Sequence, residues 1–178
     1  MKTKLKILKV PNTILKTEAR KVEEDEFGLE LEEYMNSMLD TMFEQGGIGL
    51  SAPQIGDSRR ILVAEPPISD DSSENPLFMM VNPEITRRSE DLVGYDGGEC
   101  CLSIPNFLFT VPRHKTINVR WQTPYGILKS RTLTDVAAIV IQHEIDHLDG
   151  ITLLERTTRP HRRKYLRKLK KENNRKRR

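Results

Sequence analysis

The chain has 178 residues, 37% hydrophobic and 31% charged, which suits one soluble domain with a sizeable core. No run approaches the length needed to span a membrane, no signal-peptide apolar region follows the basic start MKTKLKILKVP, and the only two cysteines are adjacent; a disulfide framework is excluded and a cytoplasmic, reducing location is expected. The net charge of +3 conceals an asymmetry: Arg159 to Arg178 holds 12 Lys/Arg and one acid, while the rest of the chain holds 17 Lys/Arg against 25 Asp/Glu, an acidic body with a tail suited to a polyanion.

Leu5 to Val10 reads as an edge strand or an extended arm ending at Pro11. A helix is predicted over Asp25 to Gln45, where Leu31, Tyr34, Met35, Met38, Leu39, Met42 and Phe43 recur at three- and four-residue steps, and Gly46-Gly47 ends it. Its methionines read as adaptable core filler. GIGLSAPQIG, Gly47 to Gly56, reads as a glycine-punctuated tight turn; it lacks a Lys-Ser/Thr ending and follows a helix, so it is no nucleotide-binding loop. Strands are predicted at Arg60 to Glu65 and Leu77 to Ile85, with the polar loop PPISDDSSENP between them. Glu99 to Val111 carries the cysteines. Thr116 to Thr123 alternates, with Ile117, Val119 and Trp121 on one face, and turns through Thr-Pro-Tyr-Gly into Ile127 to Leu133 as a hairpin. Ile151 to Leu154 reads as one more short strand. Pro160 opens a cationic helix with a thin apolar stripe of Tyr165, Leu166 and Leu169. The organisation expected is a body over residues 1–158 and a basic helical tail over 159–178.

The chemistry concentrates in TLTDVAAIVIQHEIDHLDG. His143, Glu144 and His147 form the pattern H-E-x-x-H, and residues four apart share one face of a helix, so both imidazoles can reach one metal ion with Glu144 beside it. Thr134 is a candidate N-cap, Asp135 puts a negative charge in the first turn, and Gly150 is a candidate stop. Val136, Val140, His143 and His147 make one stripe, and Ala137, Ile141, Glu144 and Leu148 its neighbour, so the helix is predicted to be buried. The blander alternative is a pair of core histidines, and buried polar groups in either case need partners.

A catalytic zinc-type site takes three protein ligands and one open position. Gly150 fits the glycine of the longer H-E-x-x-H-x-x-G-x-x-H pattern, but Leu153 stands at its last position and excludes it. Glu155 is too close to serve as a downstream carboxylate, and Glu172 lies in the basic tail. A thiolate remains. Cys100 and Cys101 point to opposite faces if the strand is extended, and spacing alone does not choose between them.

Three segments together, GIGLSAPQIG, ECCLSIP and QHEIDHLDG, in this order, resemble peptide deformylase, whose patterns are G-x-G-L-A-A-x-Q, E-G-C-L-S and Q-H-E-x-D-H. The likeness runs from about Ile7 to Leu154. It implies an α+β single domain with the motif helix packed against antiparallel strands, followed here by the basic C-terminal helix. It also implies Cys101, His143 and His147 as ligands of one divalent metal, iron(II) first, with nickel, cobalt or zinc able to replace it; ligand softness alone would favour zinc. Glu144 would be the catalytic acid/base, the Gln54 side chain and the Leu102 backbone N–H would bind the carbonyl oxygen, and Gly49 would approach the substrate main chain. The implied activity is hydrolysis of the N-terminal formyl group from formyl-methionyl nascent peptides, with release of formate.

Val136, Ile139 and Val140, beside His143, are then expected to line an apolar pocket for the methionine side chain. Glu99 and Arg113 are expected to pair behind the cysteine strand. Arg162, Arg163, Lys164, Arg167 and Lys168 are expected to dock on ribosomal RNA. Three departures stand out: Ser51 for the more usual alanine, Cys100 for the glycine of E-G-C-L-S, and Asp135 where a glycine often precedes the helix. None removes a chemical group. Two other readings are a zinc endopeptidase with a different third ligand, and a non-enzymatic RNA-binding protein with a closed four-ligand site. The second needs Cys100 as the fourth ligand, a poor geometry for adjacent strand residues.

Overall fold

The computed structural model describes residues 5–67 and 75–176, with side chains as far as residue 171. Most of the loop PPISDDSSENP, the end of the tail and the Glu172 side chain lie outside the described residues. In chain order the strands are β1 (Gly49–Ser51), β2 (Ile61–Ala64), β3 (Phe78–Arg88), β4 (Leu92–Val93), β5 (Glu99–Cys101), β6 (Ile104–Phe109), β7 (Arg113–His114), β8 (Thr116–Gln122) and β9 (Leu128–Thr134). The helices are α1 (Leu29–Glu44), α2 (Asp135–Leu148), α3 (Leu153–Arg156) and α4 (Arg159–Lys176).

One antiparallel sheet runs β1-β2-β3-β8-β9, and two small antiparallel pairs, β4-β7 and β5-β6, stand beside it. Strand β2 is buried at every position because helices cover both faces of the sheet. Leu62 and Ala64 join Ala137, Ala138, Val140, Ile141, Ile145 and Leu148 of α2 in one core. Ile61 and Val63 join Leu31, Met35, Met38, Leu39 and Met42 of α1 in a second. The alternation predicted in β8 places Ile117 and Val119 in the α2 core, with Trp121 partly buried against it. This is the expected α+β domain, with the motif helix on antiparallel strands and a C-terminal helix.

Three expectations need correcting. The first helix begins at Leu29, because Glu24–Glu26 closes into its own 3₁₀ turn with a capping box and Phe27 is extended. The supposed turn GIGLSAPQIG is mostly regular: β1 pairs with β2, and Ala52–Ile55 forms a 3₁₀ turn. Ile151–Leu154 is no strand; the Thr152 hydroxyl accepts from the Leu154 N–H, and Glu155 reaches back to the Thr152 N–H, which starts α3. Of the two readings of Leu5 to Val10, the arm holds: the segment pairs in no strand, and its Leu8 and Val10 N–H groups donate to the Gln54 and Ser103 carbonyls.

The boundaries of α2 match the prediction, with one refinement. Thr134 occupies the N-cap position without a capping bond from its side chain, and Asp135 adopts φ +51°. That left-handed backbone is why a glycine is favoured there and why an aspartate is among the few alternatives. At Gly150, φ is +69° and an added Cβ would lie 2.8 Å from the Lys16 carbonyl carbon, so the stop tolerates glycine alone.

Candidate metal centre

Helix α2 turns His143, Glu144 and His147 toward β1 and β5, and Gln142 and Asp146 toward β7. Cys101 ends β5, 6% exposed, while Cys100 before it faces solvent. The strand alternation thus sorts the two thiols. Cys100 in place of glycine costs no packing, because its side chain points outward and its backbone is not left-handed. Candidate ligand atoms of Cys101, His143 and His147 all lie within 4.8 Å of one another, so the three can hold one metal ion. Cys101 Sγ is 3.2 Å from His147 Nε2, and the two imidazole rings meet edge to face at 5.1 Å.

The donor chemistry fits a divalent cation. Burial pushes the Cys101 thiol up, but the charge of His147 and hydrogen bonds from both histidines outweigh it and hold the thiol well below its ordinary value. Burial pushes His143 down, while hydrogen bonds to Cys101 and Glu99 raise it well above. Thiolate and imidazole protons compete for the same few ångströms, which is the position a cation takes when such ligands give up their protons. His143 Nδ1 lies 2.7 Å from Glu99 Oε2, so its Nε2 is the nitrogen left for a ligand.

Glu144 lies beside this trio, 4% exposed, and its Oε2 is buried without a hydrogen-bond partner among the described residues. Burial raises its pKa above the ordinary carboxylate value, against the lowering charges of His143 and His147. Gly49 makes room for it: a Cβ there would stand 2.5 Å from Glu144 Oε1 and 3.0 Å from its Cδ.

Gln54, 1% exposed, sits on the 3₁₀ turn after β1. Its Oε1 accepts from the Ser51 N–H and the Ser51 hydroxyl, each at 2.9 Å. Its Nε2 points at Cys101 Sγ, 3.6 Å away, and at Ser103 Oγ, 3.3 Å away. Leu102 follows Cys101 and packs into the α1 core. Of the three residues expected to line a pocket, Val140 and Val136 pack in the core between α2 and the sheet, and Ile139 is 4% exposed outside that cluster.

The expected pair of Glu99 and Arg113 forms, at 2.8 and 3.0 Å, with both side chains about 5% exposed. It belongs to a longer chain of charges. Arg113 Nη1 also donates to Asp146, which accepts two further bonds from Arg156 of α3. Gln142 donates to the His114 carbonyl at 2.8 Å and accepts from the His114 N–H at 3.0 Å, fastening α2 to β7. Asp146, Arg156, Gln142 and Ser103 received no role from the sequence. Asp146 carried a signal, since it sits inside the motif at a position that looks toward the helix's other side.

The Cys/His/His cluster with a carboxylate beside it, on a helix laid across an antiparallel sheet, has the ligand set and layout of a candidate metal centre of the H-E-x-x-H type. A profile of the polypeptide deformylase family matches residues 4–163, and the chain belongs to that family. The peptide deformylase of Desulfotalea psychrophila is 38% identical over 167 residues, covering 94% of this chain and 95% of that one. The crystal structure of a peptide deformylase from Legionella pneumophila superposes with a TM-score of 0.83 at 34% identity, covering 99% of each chain. A Met-Ala-Ser-bound class I type b peptide deformylase from Acinetobacter baumannii gives a TM-score of 0.79 at 32% identity, covering 88% of this chain and 99% of that one.

Proposed function

We propose that the protein removes the N-terminal formyl group from formyl-methionine of newly made polypeptides, with Cys101, His143 and His147 holding one divalent metal ion. The observation that carries this reading is the gathering of the three ligand atoms within 4.8 Å beside a buried, unpartnered Glu144 oxygen. When bound, the ion acts as a Lewis acid and makes a water molecule nucleophilic near neutral pH. The set of one thiolate and two imidazoles accommodates iron(II), which we take as the resident ion, as well as nickel, cobalt or zinc.

Glu144 takes a proton from the attacking water, helped by the upward shift that burial gives its carboxylate. Water's oxygen joins the formyl carbon, the formyl C–N bond breaks, and Glu144 hands the proton to the leaving amine. The products are formate and a free N-terminus. The Gln54 Nε2–H and the Leu102 backbone N–H meet the negative charge that develops on the carbonyl oxygen. Strand β1 is an edge of the sheet, which lets Gly49 approach the main chain of an extended substrate. Val136, Ile139 and Val140 line the side-chain pocket for methionine, and the relative bound to Met-Ala-Ser supports a methionyl product.

Residues 1–158 serve as the catalytic body and 159–178 as a basic appendage, acting in the cytoplasm. Tyr165, 3% exposed, seats the appendage between Phe107 and Phe109, and no helix among the described residues is long and apolar enough to cross a membrane. Arg162, Arg163, Lys164, Arg167 and Lys168 contact ribosomal RNA. Replacing these five by glutamine should abolish low-salt ribosome co-sedimentation, which in the wild type weakens steeply with added salt; unchanged binding would show the tail to be merely solvated.

The activity is tested by formate release from formyl-Met-Ala-Ser, with anaerobic iron(II) or with nickel. Chelation should abolish release and nickel restore it. A metal-loaded protein that releases no formate would refute the reading, and cleavage of internal peptide bonds would replace it with an endopeptidase.

A further inference from the structure

We propose that Ser51 is a positioning residue for Gln54: its buried hydroxyl pins the carboxamide so that the amide N–H faces the Cys101 side of the centre. The inference rests on the deformylase reading for its catalytic consequence, but the pinning itself is a property of the fold. Ser51 is 0% exposed and ends β1, where the chain turns into Ala52–Ile55. Its Oγ and its N–H both donate to Gln54 Oε1 at 2.9 Å, and Oγ accepts in turn from the Gln54 backbone N–H. The hydroxyl also reaches the Glu144 carboxylate, so the Gln54→Ala background separates its effect through Gln54 from one through Glu144.

A carboxamide is nearly symmetric in shape, and only its partners decide which end is donor and which acceptor. The N–H of residue 51 selects the orientation, since a backbone donor cannot face an NH₂ group. The hydroxyl occupies the oxygen's second lone pair and stops the amide from swinging about that single bond. At the other end, Ser103 Oγ and Cys101 Sγ stand 3.3 and 3.6 Å from Nε2. A thiolate repels a carbonyl oxygen and attracts an N–H, so both ends agree. An alanine at position 51 keeps the N–H and loses the hydroxyl, leaving the amide held by one bond at its oxygen.

This device acts on a group that meets charge in the transition state more than in the ground state. Its removal should therefore lower kcat and leave KM unchanged. The experiment compares wild type, Ser51→Ala, Gln54→Ala and the double variant, nickel-loaded for the kinetics and loaded with diamagnetic zinc for the NMR. Formate release from formyl-Met-Ala-Ser is read together with hydrogen exchange of the Gln54 side-chain amide by NMR. Ser51→Ala should lower kcat about five-fold, the scale of one net hydrogen bond, at constant KM. It should have no further effect in the Gln54→Ala background, and it should speed exchange of the Gln54 Nε2 hydrogens several-fold.

Equal losses in both backgrounds would overturn the inference, because Ser51 would then act independently of Gln54. Unchanged exchange would overturn it whatever the kinetics show. A wild type that releases no formate, with Gln54 exchange still accelerated by Ser51→Ala, would sustain the pinning and sink the deformylase reading alone.

Discussion

One helix presents two polar regions of opposite character. On one side of α2, Asp146 takes bonds from Arg113 and Arg156, Arg113 also grips Glu99, and Gln142 is paired with both backbone groups of His114. On the other side, Glu144 Oε2 and His147 Nδ1 are buried without partners among the described residues. Apart from Arg156, whose side chain is 46% exposed, both regions are withdrawn from water, so burial alone does not distinguish them. Satisfaction does. Buried charges that are fully paired fix geometry, whereas a buried group left short of a partner carries a desolvation cost that is tolerated where it has chemistry to perform. Glu99 joins the two regions: one of its oxygens holds Arg113, and the other holds both Arg113 and His143.

The contrast can be broken most forcefully at Glu144. Glu144→Gln should lower kcat by about 10²–10⁴-fold, the range for a lost general acid/base, while the melting temperature stays level or rises. A variant that loses stability instead would mean that the carboxylate holds the fold. At Arg113 the expectation reverses. Arg113→Met takes the buried guanidinium from Glu99, which keeps only His143, and leaves Asp146 to Arg156 alone, and denaturant unfolding should show a loss of about 3–5 kcal/mol. Metal content after purification should fall as well, because His143 loses the fixed carboxylate behind it; full retention would separate the two regions entirely.

The smallest effect is expected on the surface, at a pair belonging to neither region. A hydrogen bond from Arg20, then one from the Glu23 N–H, holds the Glu26 carboxyl at about 2 instead of 4.5. A depressed carboxylate adds stability above its unfolded value, lost as pH falls through 4.5 toward 2. Glu26→Gln should therefore flatten the acid limb of stability in that window and change nothing at pH 7 in formate release. Surface pairs of this kind contribute little, so a drop in activity would mean that the Arg20–Glu26 contact is coupled to the centre.

Much of this was legible in the chain because it is periodic or locally punctuated. The apolar steps of α1 and α2 and the alternation of β8 announce buried faces, and the three resembled segments mark the residues now gathered around Cys101. What stayed hidden was either too short for a period or too distant in sequence. Three residues of β1 offer no alternation to read, and their glycine suggested a turn. The start of α3 was readable in principle, since Thr152 and Glu155 have capping-box spacing, but the apolar Ile151 to Leu154 resembled a strand. The partnership of Asp146 with Arg113 spans 33 residues and follows only from the packing of β7 on α2. Ser103 follows the same logic: its use lies in facing Gln54, 49 residues earlier.

The contact between Gly49 and Glu144 has a consequence for how the sequence can drift. A methyl group on residue 49 would stand 2.5 Å from Glu144 Oε1 and 3.0 Å from its Cδ and Cγ, so the carboxylate would have to leave its place in the centre. The two positions therefore vary as one. Any side chain at 49 selects for a shorter acid at 144, and aspartate, one methylene back, is the substitution that a Gly49→Ala lineage would have to find. Selection for formate release in a library randomised at both positions should return glycine with glutamate almost alone, and alanine at 49 only in company with that shortened acid.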